Sequence, residues 1–89
     1  MDLRFEWNWS KAKENFAKRG VSFELSRNVF KDPFALEFLD DREDYNEQRF
    51  VIIGTVDRQI HVVAYAERKD AIRIRSAGTA TSQEQEIYL

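Results

Sequence analysis

The second half of the sequence alternates between β-forming runs and short polar connections. The runs are Arg49–Thr55, Ile60–Glu67 and Ala71–Ser76, and the connections are Val56–Gln59 and Arg68-Lys69. Connections this short can join only antiparallel neighbours, because a parallel crossover needs about a dozen residues or more. The sequence therefore predicts an antiparallel meander of three strands between residues 49 and 76.

The segment before the meander begins with a short strand and a basic helix. Apolar and charged side chains alternate from Arg4 to Trp7, which is typical of a strand with one buried face. Asn8 can cap the helix that follows, and Gly20 can end it. The apolar side chains of this helix share one stripe and are expected to face the core: Trp9, Ala12 and Phe16.

A second helix, a strand and a final helix complete the expected elements. Ser22 can cap the second helix, which Asp32-Pro33 ends because the residue before proline avoids the helical conformation. The pattern Phe34–Leu39 predicts a strand, and the C-terminal tail predicts a short helix capped by Thr81 or Ser82. The expected order is β-α-α-β-β-β-β-α, an α+β fold with a mainly antiparallel sheet and helices packed on one face.

Size and composition limit the class of protein. With 89 residues the chain is expected to form a single domain over residues 1–89. It has no cysteine and one histidine, so the sequence predicts no disulfide, no metal site and no cofactor. His61 lies beside two valines on a strand and is expected to be structural. No apolar run approaches the roughly 18–20 residues that span a bilayer, so we expect no membrane association and a cytoplasmic location.

The charged residues are distributed unevenly along the chain. The formal net charge is -2, and residues 32–57 alone carry eight acidic and two basic side chains. The acidic run Asp40–Glu47 predicts a solvated loop, since it lacks the pattern of a calcium-binding loop. The basic side chains outside this segment could together bind phosphate groups: Lys11, Lys13, Lys18, Arg19, Arg68, Lys69, Arg73 and Arg75.

The register of the last hairpin decides which of these side chains share a face. A two-residue turn at Arg68-Lys69 would place two apolar pairs on one face: Tyr65 with Ile72, and Val63 with Ile74. Arg73 and Arg75 would lie on the other face, where two planar guanidinium groups suit phosphate oxygens or partner carboxylates. Residue chemistry alone leaves an anion-binding module and a protein-binding module open.

Several stretches, taken together, resemble the BrnT toxin family. Among them are Phe5-Glu6-Trp7, Gly20-Val21-Ser22-Phe23-Glu24, Val29-Phe30-Lys31-Asp32-Pro33, Tyr65-Ala66-Glu67-Arg68, Ile72-Arg73-Ile74 and Ser76-Ala77. The resemblance implies a RelE-like fold and a ribonuclease that inhibits translation as the toxin of a type II toxin–antitoxin system. It also implies a BrnA-type antitoxin that neutralises the toxin in a hetero-oligomer and through which alone the toxin reaches operator DNA.

The resemblance also suggests residue roles for metal-independent RNA cleavage. Arg73 is expected to stabilise the phosphate, and the orienting or proton-transfer groups are expected to be Tyr65, Glu67 and Arg68. Further RNA contacts are expected at Lys11, Arg75 and Tyr88. Because antitoxins of this kind are basic, the acidic loop is expected to contact the partner through Asp41, Glu43 and Asp44.

The sequence departs from the family pattern at two positions. Arg19 stands where family members usually have histidine, and Gly78 stands where they usually have arginine. A missing arginine would remove a cation from the active face, which leads to an alternative hypothesis. In that alternative the chain is a catalytically attenuated homologue that acts mainly as a corepressor bound to its antitoxin. A generic anion-binding domain is the third possibility.

Overall fold

A five-stranded sheet forms the centre of the protein in a computed structural model, which describes residues 3–41 and 46–89. The strands are β1 (Arg4–Glu6), β2 (Leu36–Asp40), β3 (Arg49–Val56), β4 (Gln59–Arg68) and β5 (Ala71–Thr79). They lie in the order β1-β5-β4-β3-β2, with β1 parallel to β5 and the other neighbouring pairs antiparallel. The predicted meander, formed by β3, β4 and β5, is confirmed.

The helices follow the predicted order. They are α1 (Trp9–Arg19), α2 (Phe23–Ser26), which continues as a 3₁₀ helix (Arg27–Lys31), and α3 (Ser82–Tyr88). Together with the strands they confirm the α+β fold class and the order β-α-α-β-β-β-β-α. Within residues 3–41 and 46–89, no helix is long and apolar enough to cross a lipid bilayer.

Local hydrogen bonds explain where the helices begin and end. The Asn8 side chain accepts a hydrogen bond from the first turn of α1, and Gly20 ends α1 in the left-handed conformation with φ 75°. Ser22 caps α2 in the same way as Asn8 caps α1. At α3 the side chains of Thr81 and Glu84 each bond the other's backbone N–H. The predicted caps Asn8, Ser22 and Thr81 are therefore confirmed.

The hairpin between β4 and β5 differs from the expected register. Its turn is Lys69-Asp70, and Arg68 still belongs to β4. Tyr65 therefore pairs with Ile74 and not with Ile72. The expectation was wrong because the left-handed residue of the turn is Lys69, with φ 56°, so the turn begins one residue later than expected.

A bulge in β5 changes which side chains face the core. The register shifts in the middle of the hairpin and leaves Arg75 as an extra residue on β5. Because a bulge interrupts the alternation of a strand, Ile74 and Ala77 both face the core although they are separated by two residues. Val63 consequently pairs with Ala77 and not, as expected, with Ile74.

The hydrophobic core lies between one sheet face and the helical segments that precede β2. Its buried side chains are Val21, Phe23, Val29, Ile52, Val56, Val63, Tyr65, Ile74 and Ala77. The predicted stripe of α1 was wrong in part, because Trp9 and Phe16 are 71% and 56% exposed and only Ala12 packs against the core. Asn15 is buried instead, and its hydrogen bonds to Ala77 hold α1 along the edge of β5.

Strand β2 includes the first residue of the acidic run. Asp40 is the last residue of β2, pairs with Arg49 and is 7% exposed, so the expectation of a solvated loop was wrong at this residue. Pairing with β3 extends the strand beyond Leu39, where the sequence pattern ended it. Asp41 is exposed, and residues 42–45 lie outside the described residues.

Candidate functional site

One row of side chains crosses all five strands. The Cα pairings define its members: Glu6, Arg73, Ala66, Arg49 and Asp40. Directly paired residues project from the same face of a sheet, so a carboxylate lies at each end of the row and the guanidinium groups lie between them. The row is on the face opposite the core, because its residues alternate with core-facing residues along β3, β4 and β5.

Four arginines on β3, β4 and β5 belong to this face of the sheet. Arg49 and Arg73 are members of the row, and Arg68 is two residues beyond Ala66 on β4. Arg75, at the bulge, reaches the same face because it shares the carboxylate of Glu47 with Arg49. We call this surface the arginine face and define it by Arg49, Arg68, Arg73 and Arg75.

Two carboxylates hold the guanidinium groups in place. Nη1 of Arg73 is 3.2 Å from Oε2 of Glu6, and Nη2 of Arg75 is 2.6 Å from Oε1 of Glu47. Glu47 also accepts a hydrogen bond from Nε of Arg49 at 2.9 Å. The hydrogen bond from Arg75 and then that from Arg49 lower the pKa of Glu47, although burial acts in the opposite direction. Glu47 is therefore ionised at neutral pH and fixes both arginines.

Arg73 and Arg75 keep unused hydrogen-bonding capacity. Their side chains are 22% and 17% exposed, and Nε of each donates no hydrogen bond to any described residue. A guanidinium group carries five N–H donors in a planar fork that matches the oxygens of a phosphate. Both Nε atoms are buried, so an anion would approach the exposed part of each guanidinium group and gain the Nε–H donors only after a small rearrangement of these side chains.

Tyr65 and Glu67 lie on the other side of the sheet from Arg73. Tyr65 is 1% exposed, and its ring centroid lies 5.0 Å from that of Phe30. Its hydroxyl donates a hydrogen bond to the carboxylate of Glu37. Burial and this hydrogen bond raise the pKa of Tyr65 above its ordinary value, so the hydroxyl stays protonated. The structure thus divides the residues expected to be catalytic between two faces.

Lys11 and Tyr88 lie on helices and not on the strands that carry the arginine face. Lys11 is exposed in the first turn of α1. The Tyr88 hydroxyl donates to Asp32 Oδ2 at 2.5 Å and accepts from Thr55 Oγ1 at 3.1 Å. This contact lowers the pKa of Asp32 and raises that of Tyr88. Tyr88 therefore fastens α3 to β3, and its hydroxyl is already engaged.

His61 is a structural residue, as expected. It is fully buried, and its Nδ1 lies 3.1 Å from Oγ of Ser26. Burial lowers the pKa of His61, against a smaller opposing effect of Asp57, so the ring is neutral at physiological pH. Within residues 3–41 and 46–89, no cluster of three or more His, Asp and Glu side chains could hold a metal ion.

Of the three residues expected to contact the partner, only Asp41 lies among the described residues. Asp41 is exposed directly after β2, whereas Glu43 and Asp44 fall outside the described residues. β2 is an outer strand of the sheet, and its exposed side chains include Leu36, Phe38 and Leu39. Apolar and acidic groups therefore lie side by side at this edge.

Three residues of the arginine face and its ion pairs were not predicted from the sequence: Glu6, Glu47 and Arg49. Glu6 meets Arg73 only because β1 pairs in parallel with β5, and the two residues are 67 positions apart. Glu47 and Arg49 offered a local signal, because an acid and a base separated by one residue at the start of a strand can project to the same side.

The comparisons with known proteins identify the family. The family model described as ribonuclease toxin, BrnT, of type II toxin-antitoxin system matches residues 7–84. The match spans α1, α2 and strands β2 to β5, including all four arginines of the arginine face. No curated protein matches the chain. The chain belongs to the BrnT family of ribonuclease toxins of type II toxin–antitoxin systems.

Proposed function

We propose that this chain binds and cleaves RNA on the arginine face and thereby inhibits translation. The observation that supports this most is that carboxylates hold the partly exposed guanidinium groups of Arg73 and Arg75 in position on one sheet face. Phosphate oxygens accept hydrogen bonds from guanidinium groups, often two at a time. An RNA backbone lying across the sheet would supply these acceptors.

The chemistry we propose uses no metal ion. The 2′-hydroxyl loses its proton to a carboxylate, and its oxygen attacks the neighbouring phosphorus while the 5′ oxygen leaves and takes a proton from water. Arg73 stabilises the charge that develops on the phosphate. The carboxylate beside Arg73 is that of Glu6, at 3.2 Å, so we assign proton acceptance to Glu6 and not to Glu67.

The other residues expected in the site receive different roles. We retain Arg75 and Lys11 as RNA contacts and assign Arg68 the same role in place of a catalytic one, because these basic side chains carry charge that attracts a polyanion. We assign Tyr65 a structural role, because it is buried on the opposite face. Glu67 lies on that same opposite face, away from Arg73.

Incubation of the purified protein with single-stranded RNA in EDTA tests this proposal. We expect fragments with 2′,3′-cyclic phosphate and 5′-hydroxyl ends, because the attacking group is the 2′-hydroxyl. Uncleaved RNA together with tight antitoxin binding would contradict the proposal and support the alternative, an attenuated homologue that acts as a corepressor.

The family implies an antitoxin partner, and we propose that it is a basic, BrnA-type protein that binds at β2. An outer strand exposes unpaired backbone groups to which another chain can add a strand. The exposed Leu36 and Phe38 would contribute apolar contacts, and Asp41 would attract a basic partner. We place the resulting hetero-oligomer in the cytoplasm, where RNA is the target of the free toxin.

A further inference from the structure

The guanidinium group of Arg19 occupies the space in which a side chain at position 78 would begin. A Cβ atom added to Gly78 would lie 2.6 Å from Nε, 2.7 Å from Cζ and 2.8 Å from Nη2 of Arg19. Gly78 pairs with Val62, and both are adjacent to the core-facing pair Val63 and Ala77, so they project from the opposite face of the sheet. The Arg19 guanidinium therefore lies on the same sheet face as Arg73.

The position of α1 explains how Arg19 reaches this face. β1 pairs only with residues 71–73 of β5, so it does not cover the rest of that strand edge. Asn15 bonds there, donating to the Ala77 carbonyl oxygen at 2.9 Å and accepting from the Ala77 N–H at 3.2 Å. Arg19 is four residues further along α1 and thus projects on the same side of the helix as Asn15. The next residue of β5 that it meets is Gly78.

We propose that Arg19 is a phosphate-binding residue of the arginine face and that glycine at position 78 provides the room for it. This inference rests on the proposed function. Arg19 is exposed and pairs with no carboxylate among the described residues, so its charge is available to an anion. It lies beyond Arg75 along β5 and extends the run of guanidinium groups on one sheet face.

This arrangement bears on the attenuation hypothesis. Gly78 stands where the family pattern has arginine, so position 78 itself supplies no cation. The structure places the guanidinium of Arg19 against Gly78, so a positive charge is present at that point of the sheet. We therefore expect Gly78→Arg to displace Arg19 and to add little to RNA binding.

Two variants show whether RNA binding requires the Arg19 charge at this position or only its presence in the protein. Gly78→Ala keeps the net charge, but its new methyl group forces the guanidinium away. The Gly78 backbone is not in the left-handed region, so alanine is tolerated there. Arg19→Ala removes the charge itself. Lys18→Ala is the matched control, because it removes an equal charge from the same turn of α1.

Binding of a 2′-O-methyl oligoribonucleotide, which cannot be cleaved, is measured across a salt series. We expect Arg19→Ala and Gly78→Ala each to weaken binding about 3- to 10-fold and to reduce the salt slope by about 0.7, the contribution of one phosphate contact to a single strand. Adding Gly78→Ala to Arg19→Ala should cause no further loss. Lys18→Ala should change binding less than 2-fold, and thermal unfolding confirms that each variant is folded.

Measuring Arg73→Ala in the same experiment distinguishes a failure of the inference about Arg19 from a failure of the proposed RNA-binding function. If Arg73→Ala weakens binding while Arg19→Ala matches either wild type or Lys18→Ala, the inference about Arg19 is overturned and the RNA-binding face stands. If Gly78→Ala binds like wild type, the position of Arg19 is irrelevant and the inference is likewise overturned. If Arg73→Ala also binds like wild type, the proposed function itself fails.

Discussion

Asn15 bonds the backbone of Ala77 as a neighbouring strand would, through an amide that donates at 2.9 Å and accepts at 3.2 Å. Its Nδ2 also donates to the carbonyl oxygen of Val21 at 3.2 Å. A helical side chain thus closes the part of the β5 edge that β1 leaves open. This contact fixes α1 against the sheet and sets the position of Arg19.

Replacement of Asn15 by alanine should therefore destabilise the protein strongly. The change leaves a buried N–H and buried carbonyl oxygens without partners, and we expect a loss of about 2–4 kcal/mol in the free energy of unfolding. Urea denaturation measures it, with Lys13→Ala in the same helix as the control. A loss no greater than that of the control would show that the edge contact does not stabilise the fold.

Glu47 should make stability depend on pH. Hydrogen bonds from Arg75 and Arg49 hold the pKa of Glu47 below its ordinary value of 4.5 in the folded protein. The stability that these bonds provide is therefore complete above the pKa of Glu47 in the unfolded protein. It is lost as the pH falls through the pKa of Glu47 in the folded protein. We expect Glu47→Gln to lower the free energy of unfolding by about 1 kcal/mol near pH 7 and the difference to shrink near pH 3.

Urea denaturation of wild type and Glu47→Gln at the two pH values measures this effect. The same difference at both pH values would mean that the ion pairs of Glu47 contribute nothing, and that the substitution acts through packing alone.

Glu6 should accept the proton during RNA cleavage, whereas Tyr65 and Glu67, on the opposite face of the sheet, should not. We expect Glu6→Gln to lower the rate of RNA cleavage by about 100-fold, because a positioned general base typically contributes that much or more. Tyr65→Phe and Glu67→Gln should remain within a few-fold of wild type. A large loss of cleavage in folded Tyr65→Phe, with Glu6→Gln active, would restore the catalytic role that the sequence suggested for Tyr65.

Local signals made much of the fold predictable. The caps Asn8, Ser22 and Thr81 could be read from the sequence because each binds backbone within three residues of itself. The connection between β3 and β4 was also identified, although the turn itself is only Asp57-Arg58, two residues with positive φ. Helix caps and turns that depend only on neighbouring residues can therefore be predicted from the sequence without knowledge of tertiary contacts.

The remaining features depend on contacts between distant residues. Asn15 is buried only because Ala77, 62 residues away, offers its backbone, so the sequence placed Trp9 and Phe16 inside instead. The bulge at Arg75 likewise has no local signature, since it involves no glycine. For the candidate site, Arg73 could be predicted as a face residue, but its partner Glu6 could not.

The exposed edge at β2 should be needed for antitoxin binding. Phe38 is exposed on this outer strand, and we expect Phe38→Ser to raise the Kd for the antitoxin at least about 10-fold without unfolding the toxin. Ile87→Ser, at an exposed position on α3, is the control. Equal affinities of the two variants would place the antitoxin elsewhere.

The acidic side chains that follow β2 in the sequence should act mainly on the rate of association with the antitoxin. Replacing Asp41, Glu43 and Asp44 by their amides should slow binding of a basic antitoxin and flatten its dependence on salt. Association rates that match wild type over the whole salt series would contradict an electrostatic contribution from this segment.

Cleavage of RNA by Arg73→Ala tests the central claim most directly. The rate constant is measured for purified wild type, Arg73→Ala and Lys31→Ala, which removes an equal charge from the helical side of the molecule, all in EDTA. If the arginine face is the active site, the rate should fall about 100- to 1000-fold in Arg73→Ala and stay near wild type in Lys31→Ala. Equal cleavage by folded Arg73→Ala and wild type would contradict the account.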